Sequence, residues 1–401
     1  MNRQTINRSG AQLRTGIVDM MALGDFQRVI DICKKTLVAA RDAHDPITEA
    51  MSLVGLAASH RGLGKYKDAL ILANGAIDQS RSAGVAEVTC NALLERATIL
   101  HTGHLQFYEA RDDYREVLNL AHDIGYVAGV SQALCGLAAV MLAVGQTGTV
   151  HAYARETLDI ATEIDDATLQ IEALHVLGLY YVEVRNHDLA LQALSDALAR
   201  AMDHKFAILQ AYVLDAIGVL HLAMKQPSKS LSYFGRAYEI ARQSHYAALE
   251  SAVMLHLGET YIAQDDFAEA RKCYDAVVRK SDDTNTPIIE AQASLHIAIL
   301  HLHQREPILA VDYQRRAADI AHRAMNPYFE SQALQQLAAT ERIMSHYDAA
   351  IAAFTSALDI ERALENDKAV REIIAAILWT RVLSVVDKVL RLLHLRQDGD
   401  E

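Results

Sequence analysis

Small residues recur along this chain in a fixed 40-residue register, and that register limits the possible folds more than any single motif. One column reads Val29, Ala69, Ala110, Val150, Ala190, Ser230, Ala270, Ala310 and Ala350. A second, eleven residues later, reads Ala40, Ser80, Ala121, Ala161, Ala201, Ala241, Ser281 and Ala321, with Glu361 breaking it at the end. One extra residue falls between the second and third units. Two columns in phase over nine units indicate nine copies of one supersecondary element, each packing only on its neighbours.

The prolines give an independent phase. Pro46, Pro287 and Pro327 share one, where the first helix of a unit should begin. Pro227 and Pro307 share another, in the turn expected between two helices. Proline lacks an N–H and clashes inside a helix, so first turns and connections are where it is tolerated. Gly24, Gly64 and Gly145 fall in the same inter-helix turn, where a left-handed or tight backbone is often required. The composition agrees with closely approaching helices, since Ala and Leu dominate a 51% apolar chain with seven Phe and one Trp. The expected architecture is all-α: helix, short turn, helix, repeated.

Within a unit, Leu257-Gly258-Glu259-Thr260-Tyr261 is followed by Gln264-Asp265-Asp266-Phe267 and then by Ala270, Tyr274 and Val277. Leu177-Gly178 with Tyr181, Ala190, Leu194 and Ala197, and Ile217-Gly218 with Phe234 and Ala237, repeat the pattern. It resembles the tetratricopeptide-repeat (TPR) signature, over about residues 10 to 362, with a period similar to that of the long 40-residue subclass. That subclass includes kinesin light chains, spindle-orientation adaptors and bacterial regulators. The resemblance implies a right-handed α-solenoid of nine TPR-like hairpins and a protein that works by holding a partner. The expected organisation is an N-terminal tail over 1–9, repeats over 10–365, a long amphipathic capping helix over 366–396 and an acidic tail over 397–401.

If the first helix of each hairpin lines a concave groove, as the resemblance implies, the projected face carries Glu172, His175, Glu183, Tyr212, Asp215, His256 and Glu259. It continues through Gln292, His296, His303, Gln332, Gln335, Gln336 and Arg342. Further toward the N-terminus it is smaller and more apolar, with Met51, Val54, Ala58, Ala92, Ile99, Cys135, Ala139 and Leu142, and with Arg61, Glu95 and Arg96 among them. Such a face suits a protein segment anchored by apolar residues and hydrogen-bonding groups. The candidate partner-binding residues are Glu172, His175, Tyr212, Asp215, His256, Glu259, Gln292, His296, His303, Gln332 and Arg342. The Lys/Asn clamp of chaperone-binding relatives is absent from these positions. His60, His101, His221 and His301 occupy the column held elsewhere by Tyr181 and Tyr261, which points to a packed ring with a hydrogen-bonded edge. No metal site is expected, because zinc needs three or four converging ligands near 2 Å and neighbouring units lie roughly 10 Å apart.

From Ala369 to about Leu395 the chain carries two adjacent heptad stripes, Leu378, Val382, Val385, Val389, Leu392 and Trp379, Leu383, Val386, Leu390, Leu393. One stripe would cap the last repeat, and the other invites self-association, with Leu378, Trp379, Val382, Leu383 and Val386 as candidates for a homodimer seam. Contact with a membrane surface is a further option for the same stripe.

The net charge of −13 argues against nucleic acid and favours a neutral or basic partner. Residues 368 to 396 hold six Lys or Arg against two acids, so the repeats are more acidic than the total suggests. Cys33, Cys90, Cys135 and Cys273 are widely spaced, which fits a reduced compartment rather than a disulfide framework. No apolar run approaches the roughly 20 residues of a membrane span, and the polar N-terminus shows no signal peptide, so a cytoplasmic protein is expected. No phosphate loop, GxSxG elbow or HExxH appears, and neither an enzyme nor a cofactor is expected. Two functions remain: an interaction scaffold or adaptor, or a sensory module that binds a peptide or small signal and controls an output domain or partner.

Overall fold

The computed structural model describes residues 20–284 and 286–397, with no account of the side chains of 282–284 and 392–397. The expected N-terminal tail over 1–9, all but the first residue of the expected acidic tail over 397–401, and the side chains of Leu392 and Leu393 of the apolar stripes lie outside what is described. The described chain is all-α. A helical stub, Met20–Leu23, is followed by α1 (Phe26–Asp42), α2 (Pro46–Gly62), α3 (Tyr66–Ser82), α4 (Ala86–Thr102), α5 (Phe107–Ile124) and α6 (Val127–Ala143). Then come α7 (Val150–Glu163), α8 (Ala167–Glu183), α9 (His187–Asp203), α10 (Ala207–Ala223), α11 (Pro227–Gln243) and α12 (Ala247–Ile262). The remainder is α13 (Phe267–Thr284), α14 (Pro287–His303), α15 (Pro307–Arg323), α16 (Pro327–Ile343), α17 (Tyr347–Ala363) and the long α18 (Asp367–Gln397). Successive helices pack as antiparallel hairpins within two compact units, Met1–Gln264 and Asp265–Glu401.

Both small-residue columns are core. All nine members of the first column are fully buried, and Ala and Ser of the second are buried with them. Glu361, which breaks that column, is buried too, and its carboxylate accepts from Ser331 Oγ at 2.6 Å and Asn366 Nδ2 at 2.8 Å. A buried carboxylate needs such donors, since an unsatisfied one would be costly. Glycines on first helices let second helices approach. A Cβ on Gly218 would sit 2.5 Å from the Phe234 ring, and Gly178 stands in the same relation to Leu194.

Most described turns end their helices in the same way, the turn after Thr102 closing instead through Gln106 N on Leu100 O at 2.9 Å. A residue in the left-handed region recurs at 24, 44, 64 and 84, then, after the extra residue, from 105 to 365 at 20-residue steps among the described residues. The closing bonds are those of a Schellman cap: Gly64 N donates to Arg61 O at 3.0 Å and Lys65 N to His60 O at 2.8 Å. Gly24, Gly64 and Gly145 take this position with φ of 80°, 75° and 73°, but twelve others carry side chains there, such as Arg185 at 59°. The extra residue is absorbed in the turn 103–106, which has four residues where most of its sister turns have three. All five prolines stand at the first residue of a helix. For Pro227 and Pro307 this is one step past the turn expected from sequence, in the position where a missing N–H costs no hydrogen bond.

Within the first unit the stack curls back on itself. The turn at Gly24 packs against Ser244 and Ile208, and Phe26 joins the cluster of Ile208, Leu214, Phe234 and Tyr246. Phe26 and Tyr246 rings lie 5.5 Å apart. Arg61, at the end of α2, donates through Nη1 to Tyr246 Oη at 2.8 Å across 185 residues of sequence. The inner face of this unit is therefore ringed by protein.

Candidate functional site

Six of the sequence-predicted residues lie on consecutive first helices of the first unit: Glu172 and His175 on α8, Tyr212 and Asp215 on α10, His256 and Glu259 on α12. All six are half-buried. They sit on the face opposite the fully packed column because Ala173, Val176 and Leu177, and their counterparts on α10, take the core side. Asp215 Oδ1 and His256 Nδ1 form an ion pair at 2.8 Å between adjacent helices. The His256 ring also stacks on Phe234 at 5.3 Å, so its body is packed and its edge is engaged. Burial alone would lower the imidazole pKa, but the Asp215 carboxylate, with Glu259 nearby, outweighs burial and lifts it to about 9. His256 is thus a cation at neutral pH. His175 is neutral: burial pushes it down to about 4 despite the Asp215 charge, and its ring lies 6.1 Å from Tyr212.

Arg61 is the hub of this inner face. Its guanidinium grips Glu95 at 2.7 Å and 3.4 Å while reaching Tyr246, and Tyr246 accepts from Tyr212 Oη at 3.3 Å. Both members of the ion pair are largely buried, with 13% and 10% of their side chains exposed. The sequence placed Arg61 and Glu95 on this face but gave no signal for Tyr246, which ends the turn before α12 as its N-cap. Glu172 is the counterpoint. It makes no hydrogen bond or ion pair with another described residue. Burial, with Asp166 adding to it and Arg61 opposing, pushes its carboxyl up to about 7.

The apolar N-terminal half of the projected groove needs correction. Met51, Ala58, Ala92, Ile99 and Cys135 are buried core, and only Val54, Ala139 and Leu142 remain half-open. Arg96 belongs to the other side of the stack, where it pairs with Asp113 at 2.6 Å and donates to Asn74, both on second helices.

The other five predicted residues lie in the second unit. His296 repeats the His256 arrangement one register on, stacking on Tyr274 at 5.4 Å. Gln292 is half-buried on the same helix, whereas His303 is exposed at its end, 6.5 Å from Phe267. Gln332 donates to Tyr328 Oη at 2.7 Å, and Arg342 lies 5.8 Å from the Phe354 ring centre. These last two are held by their own helices and hairpin.

The four column histidines are packed rings. His221 and His301 are buried, stack on Tyr233 and Tyr313, and bond Gln226 at 3.1 Å and Glu306 at 2.8 Å. His101 packs on Phe107, and burial holds it down to about 4; His60 lies 3.7 Å from Asp68. Among the described residues no group of three or more His, Cys, Asp or Glu could hold a metal ion, and no helix is long and apolar enough to cross a membrane.

A tetratricopeptide-repeat family model matches residues 208–280. The 20-residue turn rhythm and the buried small columns carry the same pattern along the described chain. Its fold is the tetratricopeptide-repeat fold. Solved structures with the same fold include a Rap protein complexed with Competence and Sporulation Factor, at 16% identity over 86% of this chain and 98% of that one, with a TM-score of 0.59. The Rap conjugation gene regulator of plasmid pLS20, in complex with the Phr* peptide, matches at 13% identity, 87% and 97% coverage and a TM-score of 0.56. The apo quorum sensor NprR from B. thuringiensis matches at 13%, 84% and 98%, with 0.52. No curated protein sequence matches this chain.

Proposed function

We propose that the protein is a regulatory interaction module whose first unit holds a peptide segment against its inner face. The observation that carries this reading is the row Glu172, His175, Tyr212, Asp215, His256 and Glu259, which is half-buried and polar on the first helices of three successive hairpins. A face that served packing alone would have no need of a half-buried ion pair and a carboxylate without a partner. The Arg61–Tyr246 closure favours an extended segment over a folded domain, because it rings the face with protein. Glu172, without a hydrogen-bond or ion-pair partner among the described residues and with its carboxyl pushed up to about 7, favours a ligand with a basic group, in line with the acidic repeats. In the second unit the proposal extends to Gln292, His296, His303, Gln332 and Arg342 as a separate contact face. The solved structures with this fold that hold a peptide or a sporulation factor support the same class of ligand.

Crosslinking mass spectrometry on complexes captured by the full chain tests the reading. Crosslinks are expected on α8, α10 and α12, and Asp215→Lys combined with His256→Glu is expected to weaken the recovered peptide at least tenfold. Crosslinks confined to second helices, or unchanged affinity in that variant, would overturn the assignment. A thermal-shift screen addresses the sensor alternative: a saturable shift with a small metabolite and none with peptides would replace the peptide ligand by a small signal.

A further inference from the structure

The long helix α18 packs inward through two isoleucines at its start and two small polar residues further on. Ile373 and Ile377 join the cluster of Leu337, Phe354 and Leu358, and beyond them the buried line continues through Thr380 and Ser384. The small side chains let the helix approach its own unit, and Thr380 satisfies itself on Ala376 O at 2.7 Å. Neither apolar stripe is used. Leu378, Trp379, Val382, Val385, Val386, Val389 and Leu390 are 47–60% exposed, and of the candidate seam residues only Leu383 is half-buried. Exposed apolar residues elsewhere stand in ones and twos, but these form one continuous face.

We infer that this face is the seam of a homodimer in which α18 pairs in parallel with α18 of a second copy. The inference is independent of the peptide-binding reading. Three observations select a second copy of the chain. With Ile374, the exposed apolar residues present on the order of 800 Å² of surface, about what each partner contributes to a standard specific interface. Leu378, Val382, Val385 and Val389 follow the 4-3-4 spacing of a coiled-coil seam, which puts the β-branched Val382 and Val389 at the a positions that favour two strands. Arg381 and Lys388 then take both g positions, with Trp379 and Val386 at e. In an antiparallel pair the g cations would face one another. In a parallel pair the stem of Arg381 lies over Val386 of the partner subunit and the charge stays in water.

Light scattering and cysteine crosslinking test this on the full chain. The wild type is expected at twice the 44.2 kDa chain mass in the tens of micromolar range. Val385→Lys and Trp379→Ser change exposed positions, so each should keep the wild-type circular dichroism while shifting the mass to the monomer. Val382→Cys and Val389→Cys, tested singly, are each expected to form a disulfide-linked dimer on mild oxidation. The wild type is the control, since its Cys33, Cys90 and Cys135 are buried and any crosslink through the half-buried Cys273 would appear in it as well. A wild-type monomer overturns the proposal, as does a monomer that binds anionic vesicles through this face. A dimer unaffected by Val385→Lys also overturns it, and a dimer in which only one cysteine variant, or neither, crosslinks overturns the parallel arrangement.

Discussion

At the scale of single residues the inner face of the first unit carries two groups whose protonation differs between folded and unfolded chain. The His256 pKa of about 9 is above its unfolded value, so the Asp215–His256 pair contributes fully below about pH 6.5 and the contribution is lost as pH rises through 9. Urea unfolding of wild type against His256→Gln should therefore differ by about 2 kcal/mol at pH 6 and converge above pH 10. Glu172 behaves in the opposite sense to an ordinary paired carboxylate. Its folded pKa of about 7 lies above the unfolded value, so ionising it costs stability as pH rises from about 4.5 to 7. Glu172→Gln is expected to stabilise by about 2 kcal/mol at pH 8 and to change little at pH 4, read by the same denaturant curves. Addition of a peptide with a basic side chain should narrow the pH 8 difference if Glu172 is its anchor. The six polar positions were legible in sequence because each follows the register of its helix. The partners that set their charge were partly legible: Asp215 and His256 are 41 residues apart, one helix over. Tyr246 was not, because it sits in a turn and its contact with Arg61 depends on how far the stack curls, to which every hairpin adds a small rotation.

At the scale of helices and turns, a common rule ends most described elements, and its cost differs by residue. Gly125 has φ of 69° with nothing within 4 Å of the position a Cβ would take. Gly125→Ala should thus cost only the backbone penalty of the left-handed region, about 1 kcal/mol. Gly218→Ala meets a different obstacle. The added methyl lies 2.5 Å from Phe234, so the helix-propensity gain is outweighed and a net loss of about 1–3 kcal/mol is expected. Thermal unfolding of both variants separates backbone from packing. Sequence reading found the turns at Gly24, Gly64, Gly145 and Asp265, but not that residues such as Arg185, Lys205 and Met325 accept the same φ, since these residue types carry no left-handed preference. The C-terminal helix shows the converse. Its apolar stripes were plain in sequence, yet the packed side is set by Thr380 and Ser384, whose small size matters more for close approach than their polarity does.

At the scale of the first unit, Arg61 couples the local to the distant. Its ion pair with Glu95 is largely buried, so removing the guanidinium leaves a buried carboxylate, and Arg61→Met should destabilise the unit by roughly 3 kcal/mol. Tyr246→Phe removes the hydrogen bond that spans the closure together with the one from Tyr212, and should cost about 1–2 kcal/mol. In both variants, amide exchange should rise together in α1–α2 and in α10–α12, although these helices are far apart in sequence.

That closure also fixes how many repeats the first unit can have. In an open array each hairpin meets only its neighbours, and one more or one fewer changes length without breaking contacts elsewhere. Here Phe26 and Arg61 must meet Tyr246 after a set number of intervening hairpins. Excising residues 127–166, one full period, would displace the two edges by roughly the 10 Å between packed helices. Such a deletion should leave a helical chain that has lost the Arg61–Tyr246 contact, read as Tyr246 fluorescence that no longer responds to Arg61→Met. In this unit repeat number is a structural parameter, as fixed as strand number in a barrel.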